Sequence, residues 1–444
     1  MVLLAKHTVR EVASCSALGT GGAQMENRIS GGILCKVRSQ NPDRCGIIRL
    51  CCAVLLFLMA VSPAISRAQT QPEKPTGAEP IPEPAVAAIL TAFDKYEVVA
   101  MPEAHGMKDI DDFIFALIRN SAFPDKVNDI AVECGNSLYQ PILDRYIAGE
   151  DVPFTEARKV WRNTTQPACG MSGFFEEFFP LVRAINQKLA PAKRLRVLAG
   201  DSPIDWDQVK SFQEGLKFFA HRDDSIASVM EKEVLSKHRK ALMLFGTFHL
   251  MHGTGGNAVS TYEKDYPNLT LVISDFGVMA VPKMFGDALA AWPIPSLARA
   301  KGTWTGALDL GHFYPPPTMI HEGDCIVHNE FPKRLQKPME SLVDAFLYMG
   351  PQDLRLKEQM PADIALDVDY RMELLRRESL PGVPGALPGT PIATLKEEDQ
   401  RTLRGAENPL LEVYHPPDPK AQDPELSKAV QGCLDRKNRG SAPQ

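Results

Sequence analysis

Residues 97–120 read "EVVAMPEAHGMKDIDDFIFALIRN". A short β-branched run, 97–101, leads into Pro102, Glu103, Ala104, His105 and Gly106. Beyond it Ile110, Phe113, Ile114, Leu117 and Ile118 recur at helical spacing. The stretch is therefore a βα unit, with its polar residues at the point where strand gives way to helix. In extended backbone, residues two apart point to the same side, so Glu103 and His105 can address one ligand together. Imidazole titrates near neutrality, which suits it to proton transfer or, when neutral, to binding a metal. The same residues also fit a purely structural role, in which Glu103 caps the helix and His105 packs in the turn.

The unit recurs along the chain. A helical "AAILTAFDKY" precedes it. "DIAVECG" (129–135) is a second strand, followed by the helical "SLYQPILDRYIAG", and "FFEEFFPLVRAINQKL" is a longer helix. "RLRVLAGDSP" (194–203), "KALMLFGTFHLMHG" (240–253) and "NLTLVISDFG" (268–277) supply three more strands, with a helical "DSIASVMEKEVLSKH" between the first two. Strands and helices alternating in this way predict a layered α/β fold with a largely parallel or mixed sheet and helices on both faces. Glu103 and His105, Glu133, Asp201, and His249 and His252 then all fall at or just past strand carboxyl ends, the edge where open α/β sheets bind ligands.

The predicted α/β domain spans 86–380, with its chemistry-bearing motifs between 95 and 280. Residues 69–85 read as a Pro-rich linker. "SLVDAFLYMGPQDL" (341–354) is an amphipathic piece ending at Gly350 and Pro351, and "DYRMELLRRESL" (369–380) is a charged helix, solvated or docking. Residues 381–444, rich in Pro and Gly with alternating charge, predict a mobile tail.

The front of the chain reads as a targeting segment. Arg44 and Arg49 precede the apolar "LCCAVLLFLMAVSPAIS", and "SRAQ" at 66–69 offers a small-x-small cleavage site, so a secretory signal ending at Ala68 is predicted. The apolar stretch is short for a spanning helix, and no stable membrane span is expected after cleavage. Residues 1–68 carry a net charge of +5, leaving −11 on the remainder, and an acidic body argues against nonspecific binding to nucleic acid. Of nine cysteines, Cys134, Cys169, Cys325 and Cys433 remain after cleavage. They permit two disulfides in an oxidising compartment, with three pairings open. Export to the periplasm or the cell exterior follows from both signs.

The candidate site residues carry distinct expectations. A carboxylate finishing an apolar strand, as Glu133 does, reaches either a polar cleft or a basic partner. Asp201 reads as substrate-binding or as capping its turn, and Asp205 follows it more weakly. His249 and His252 face one site if a helix begins at "GTF". Arg222 opens a helix and can stabilise an oxyanion; its plainer reading is a surface pair with Asp223 or Asp224. His312, His321 and His328 read as incidental. There is no GxSxG elbow, no HExxH and no phosphate-binding glycine loop. What remains is water activation by imidazole and carboxylate, with or without a metal.

"VVAMPEAHG" (98–106), "DIAVECG", "LAGDSP" (198–203), Arg222 before "SIASVM", and "LMLFGTFHL" (242–250) resemble, in that order, a superfamily pattern. The superfamily contains the erythromycin esterases, the ChaN-type haem-binding uptake proteins and the TraB/Tiki proteins. Weaker similarity extends through "VDAFLYMGP". The resemblance implies a site lined by Glu103, His105, Glu133 and His249 with Arg222 beside them. It further implies hydrolysis by histidine-activated water in esterase members, metal-dependent peptide hydrolysis in Tiki-like members, and haem binding in ChaN-like members. The chain has Glu-x-His where the esterases have Glu-x-x-His, and Pro102 where they have Gly, which is closer to the ChaN form. The expectation is an exported hydrolase of an ester or amide, acting on a small molecule or peptide. A divalent metal would be held by His105, Glu133 and His249. The alternatives are a haem- or iron-binding uptake protein without turnover, or a pseudoenzyme on the same scaffold.

Overall fold

The computed structural model describes residues 76–380 apart from 277–284, 315, 317, 322–325, 330, 352–353 and 379. The predicted leader, the start of the linker, the tail, Cys325 and Cys433 lie outside the described residues. The strands are β1 (Glu83–Pro84), β2 (Val98–Pro102), β3 (Asp129–Asn136), β4 (Arg196–Asp201), β5 (Ala241–Phe245), β6 (Thr270–Asp275), β7 (Ser296–Arg299), β8 (Thr318–His321), β9 (Ile326–Asn329) and β10 (Ala345–Tyr348). Eight form one sheet in the order β1-β7-β10-β6-β2-β5-β3-β4, and β8 pairs with β9 separately. The six strands from β10 to β4 run parallel. Strand β7 is antiparallel to β10 and to β1, which makes the sheet mixed.

The five strands expected from the sequence are β2 to β6. Strands β7 and β10 were not expected, because a four-residue run such as "AFLY" is too short to show a period that separates strand from helix. Strand β10 nonetheless lies inside the sheet, between β6 and β7. Residues 76–85, expected as the end of a free linker, are docked. Ala78 exchanges main-chain hydrogen bonds with Gly302 and Trp304, and Glu83 and Pro84 pair with β7.

Side-chain alternation divides the sheet into two apolar layers. Val99, Met101, Ile130, Val132, Leu242 and Leu244 pack with helices α1 (Ala85–Ala92), α2 (Lys108–Arg119), α3 (Gln140–Ala148) and α4 (Gly173–Asn186). Val98, Ala100, Ala131, Ala241 and Met243 pack against α5 (Arg222–Glu233) and α7 (Ala258–Tyr262), which flank the short α6 (Thr247–Leu250). Helices on both faces explain why these strands read as almost unbroken apolar runs. Helix α2 buries all five of the residues whose spacing predicted it. The charged helix near 369–380 forms as α8 (Val368–Glu378) and is a docking one: Arg376 donates to the carbonyls of Trp206 and Val209, and Arg377 to that of Arg162.

Strand β4 closes one end of the sheet. Two of its outward main-chain groups are taken by one side-chain amide: Gln140 donates to the Val197 carbonyl and accepts from Ala199 N–H, at 2.9 and 2.8 Å. Just before the strand, Asn186 does the same for both polar groups of Leu195, at 2.8 Å each.

Candidate active site

Parallel strands deliver their carboxyl ends to one edge, and there β2, β3, β4 and β5 bring together residues that are distant in sequence. Glu103 follows β2, Glu133 lies in β3, Asp201 ends β4, and Gly246 and His249 follow β5. The β3–β4 register shifts between Val132 and Asn136, an irregularity of the kind that re-aims side chains beside sites. Gly106, at φ +86°, takes a left-handed conformation that a glycine adopts without strain and lets the chain turn from His105 into α2.

Glu133 is the hub. Arg222 Nη2 donates to its Oε1 at 2.5 Å, and the Gly246 N–H donates to its Oε2 at 2.5 Å. The Nε2 atoms of His105 and His249 lie 3.5 and 3.7 Å from the same Oε1. A β-carbon at Gly246 would come within 3.3 Å of Glu133 Oε2, a contact tight enough to press on the carboxylate. Arg222 Nε donates to Asp201 Oδ1 at 3.0 Å, and Asp201 also accepts from the main chain and hydroxyl of Thr165.

Each imidazole is held from behind by a carboxylate. His105 Nδ1 meets Glu103 Oε2 at 2.7 Å as an ion pair, and His249 Nδ1 meets Asp223 Oδ1 at 2.8 Å. Asp223 Oδ1 also accepts the N–H of Ala258, so it acts as an acceptor and the proton on this contact belongs to His249 Nδ1. A neutral His249 therefore presents the lone pair of Nε2 to the site. The two rings are 26% and 18% exposed, against 1% for Glu133, so the imidazoles reach solvent and the carboxylate is buried.

Burial works against a charge on Glu133, but Arg222 and then the two histidines outweigh it and hold its pKa well below the usual carboxylate range. Burial also opposes the charged form of His105, yet Glu103 and then Glu133 outweigh it and raise its pKa well above the usual value, which favours the protonated ring. Glu103 is pushed up by burial, with His105 opposing. Nearby Asp111 is pushed up to about 10 by burial and then by Glu358 and Glu103, and is a neutral carboxylic acid.

Glu103, His105, Glu133, Asp201, Arg222 and His249 are thus assembled in one place, and His252 is not. Helix α6 ends at Leu250 and Met251 is extended, so His252 leaves the helical face of His249 and bridges Glu263 and Asp344 at 2.8 and 2.9 Å. The guanidinium of Arg222, expected at an oxyanion or at Asp223 or Asp224, is spent instead on Glu133 and Asp201. Asp205 caps its own turn through Asp207 N–H, and His312 pairs locally with Asp309. Asp223 is a site residue that the sequence reading missed. The first turn of α5 sends Arg222 to Glu133 and its neighbour Asp223 to His249, a division that the "HRDD" run shows only as charge. Asp275 and Tyr314 were also missed: the phenol donates to Asp275 at 2.6 Å and lies 3.1 Å from the Thr247 hydroxyl beside the site.

His252 provides a pH-dependent stability term. Burial disfavours its charge, but Asp344 and Glu263 raise its pKa to about 9 from 6.5. A raised folded pKa means the contribution is complete below about 6.5 and is lost as pH rises through about 9. The displacement corresponds to roughly 3 kcal/mol at most. In urea titrations across this window, His252→Gln is expected to flatten the fall in stability. A wild-type slope retained in the variant would assign the effect to another group.

The expected metal set of His105, Glu133 and His249 does not fit a divalent cation, because the guanidinium already holds the Glu133 oxygen that both imidazoles face, and its charge repels a cation there. Haem does not fit the donors either. Both rings face a charged pair rather than an apolar slot, and the Tyr314 phenol is taken by Asp275. Among the described residues, Glu103, His105 and Cys134 form a different candidate metal cluster, with ligand atoms within 4.8 Å of one another. Cys134 is bonded to Cys169, the one pairing among the described cysteines, and a disulfide sulfur is not the thiolate that ligates metals.

The fold and this edge define an α/β protein with two carboxylate-oriented imidazoles around an arginine-bound glutamate. No protein-family model matches the chain, and no curated protein matches it. Among solved structures, a mutant erythromycin esterase, EreC, in its open conformation is similar over 60% of this chain and 94% of its own, at 10% identity and a TM-score of 0.36. A succinoglycan biosynthesis protein is similar over 61% and 94%, at 9% identity and 0.39. The haem-binding ChaN of Campylobacter jejuni is similar over 42% and 84%, at 14% identity and 0.26. Among the described residues no helix is long and apolar enough to cross a membrane.

Proposed function

We propose that the chain hydrolyses an ester or amide by histidine acid–base catalysis without a bound metal. The observation that carries this reading is the convergence of His105 Nε2 and His249 Nε2 on Glu133, with each ring fixed at Nδ1 by its own carboxylate. His249 Nε2 takes a proton from water as the oxygen attacks the carbonyl carbon. His105, whose protonated form the Glu103 and Glu133 carboxylates favour, donates its Nε2 proton to the leaving alkoxide or amine as the bond to carbon breaks. Glu133 lies between the two rings and favours the charge that passes from one to the other. Asp201 and Arg222 hold Glu133 in place. Export is part of the same proposal, supported by the Cys134–Cys169 disulfide, since such bonds persist in oxidising compartments.

The test is a panel of chromogenic esters, lactones and anilides offered to the purified chain before and after exhaustive chelation. Turnover is expected on at least one carboxylic ester, at a rate that the chelator leaves unchanged. Loss of that turnover on chelation, with recovery on adding a divalent metal, would overturn the metal-free mechanism. A folded chain inert across the panel would remove the hydrolase reading.

A further inference from the structure

We propose that the thiol form of this chain binds a zinc-class divalent cation at Glu103, His105 and Cys134, a site that the Cys134–Cys169 disulfide closes. The three residues place a carboxylate oxygen, an imidazole nitrogen and a sulfur within 4.8 Å of one another, the donor types of a zinc site with three protein ligands. Glu103 and Cys134 are both buried. A second observation points to a ligand. Glu103 Oε1 has no hydrogen-bond partner, and Oε2 has only its 2.7 Å contact with His105 Nδ1. A buried carboxylate oxygen left without a partner is costly, and a cation between the carboxylate, the ring nitrogen and the sulfur would relieve it. The sulfur belongs to the core layer of Val132, whereas Glu133 reaches Arg222, so the guanidinium that bars a cation at Glu133 does not occupy this position. The inference stands apart from the hydrolytic reading, since it concerns binding and not turnover.

Opening the site needs a dithiol reductant. Thiol–disulfide exchange passes two electrons and two protons to Cys134 and Cys169, and the dithiol is oxidised to its own disulfide. The Cys134 thiol then gives up its proton as the thiolate takes the metal, and His105 Nδ1 binds as the unprotonated nitrogen. Cys169, on the 167–171 turn, is the partner that determines whether the sulfur is free.

The experiment adds Co²⁺, and separately Zn²⁺, to the full chain. Cys169→Ala frees Cys134 without requiring a reductant to reach a buried bond. One cobalt per chain is expected in this variant and in wild type unfolded and refolded with a dithiol, with a sulfur-to-cobalt charge-transfer absorption in each. Oxidised wild type and the Cys134→Ala/Cys169→Ala pair should show no such absorption. Glu103→Gln in the Cys169→Ala background should weaken binding by more than the roughly 10- to 100-fold loss typical of an outer partner. Cobalt bound equally by the double variant, or no cobalt bound by a folded Cys169→Ala chain, would overturn the proposal. If that variant fails to fold, the refolded wild type decides it by the same absorption.

Discussion

His249→Ala is expected to lower kcat/KM on whichever ester the chain turns over by about 100- to 10,000-fold, the range of a positioned general base. The ring is partly exposed, and its Nδ1 bond to Asp223 is its one fixed attachment among the hydrogen bonds described, so the loss should come without unfolding. Far-ultraviolet circular dichroism and the melting temperature check this. Asp223→Asn makes the sharper companion, because Asp223 touches His249 rather than the reacting atoms. It should lower kcat by less and leave KM unchanged, because the ring loses its orientation while the substrate contacts stay. A merely structural contact would leave kcat in place. An unchanged rate in a folded His249→Ala chain would take this imidazole out of the mechanism.

Arg222→Met should cost the fold about 3–5 kcal/mol at neutral pH, the penalty for leaving buried charge without its partner. The side chains of Glu133 and Asp201 are 1% and 0% exposed and share this guanidinium. Arg222→Lys should recover part of the loss, because an ammonium supplies charge but not the planar fork that reaches both carboxylates. The pH dependence has a definite sign. Glu133 has a depressed folded pKa, so its contribution is present above its ordinary value of about 4.5 and lost as pH falls through the folded value. The gap between wild type and Arg222→Met should therefore narrow in acid. Urea midpoints at several pH values measure it, and a gap that is small at neutral pH would show that water reaches these carboxylates.

The parts of this molecule legible in the sequence are those set by local pattern. Strands β2 to β6 are apolar runs bounded by polar turns, and α2 carries its core face at helical spacing. Parallel pairing then gathers the strand-end polar residues without further information, which is why Glu103, His105, Glu133, Asp201 and His249 meet. Partner choice was not legible. Whether Arg222 turns to Asp223 or to Glu133 depends on where α5 docks against β3 and β4. The separation of His252 from His249 depends on one residue, Met251, leaving the helix. The disulfide partner of Cys134 lies 35 residues away, beyond any local signal.

The amide side chains along β4 have a consequence beyond the stability of that strand. An open β-edge is a template on which a second chain can add a strand. Here Gln140 and Asn186 act as two detached peptide units, each fixed by its own helix, and they occupy the positions a newcomer's main chain would need at Leu195, Val197 and Ala199. At those positions the growth of the sheet is terminated by chemistry that does not itself continue a strand. Two uncharged residues thus serve as a brake on self-assembly.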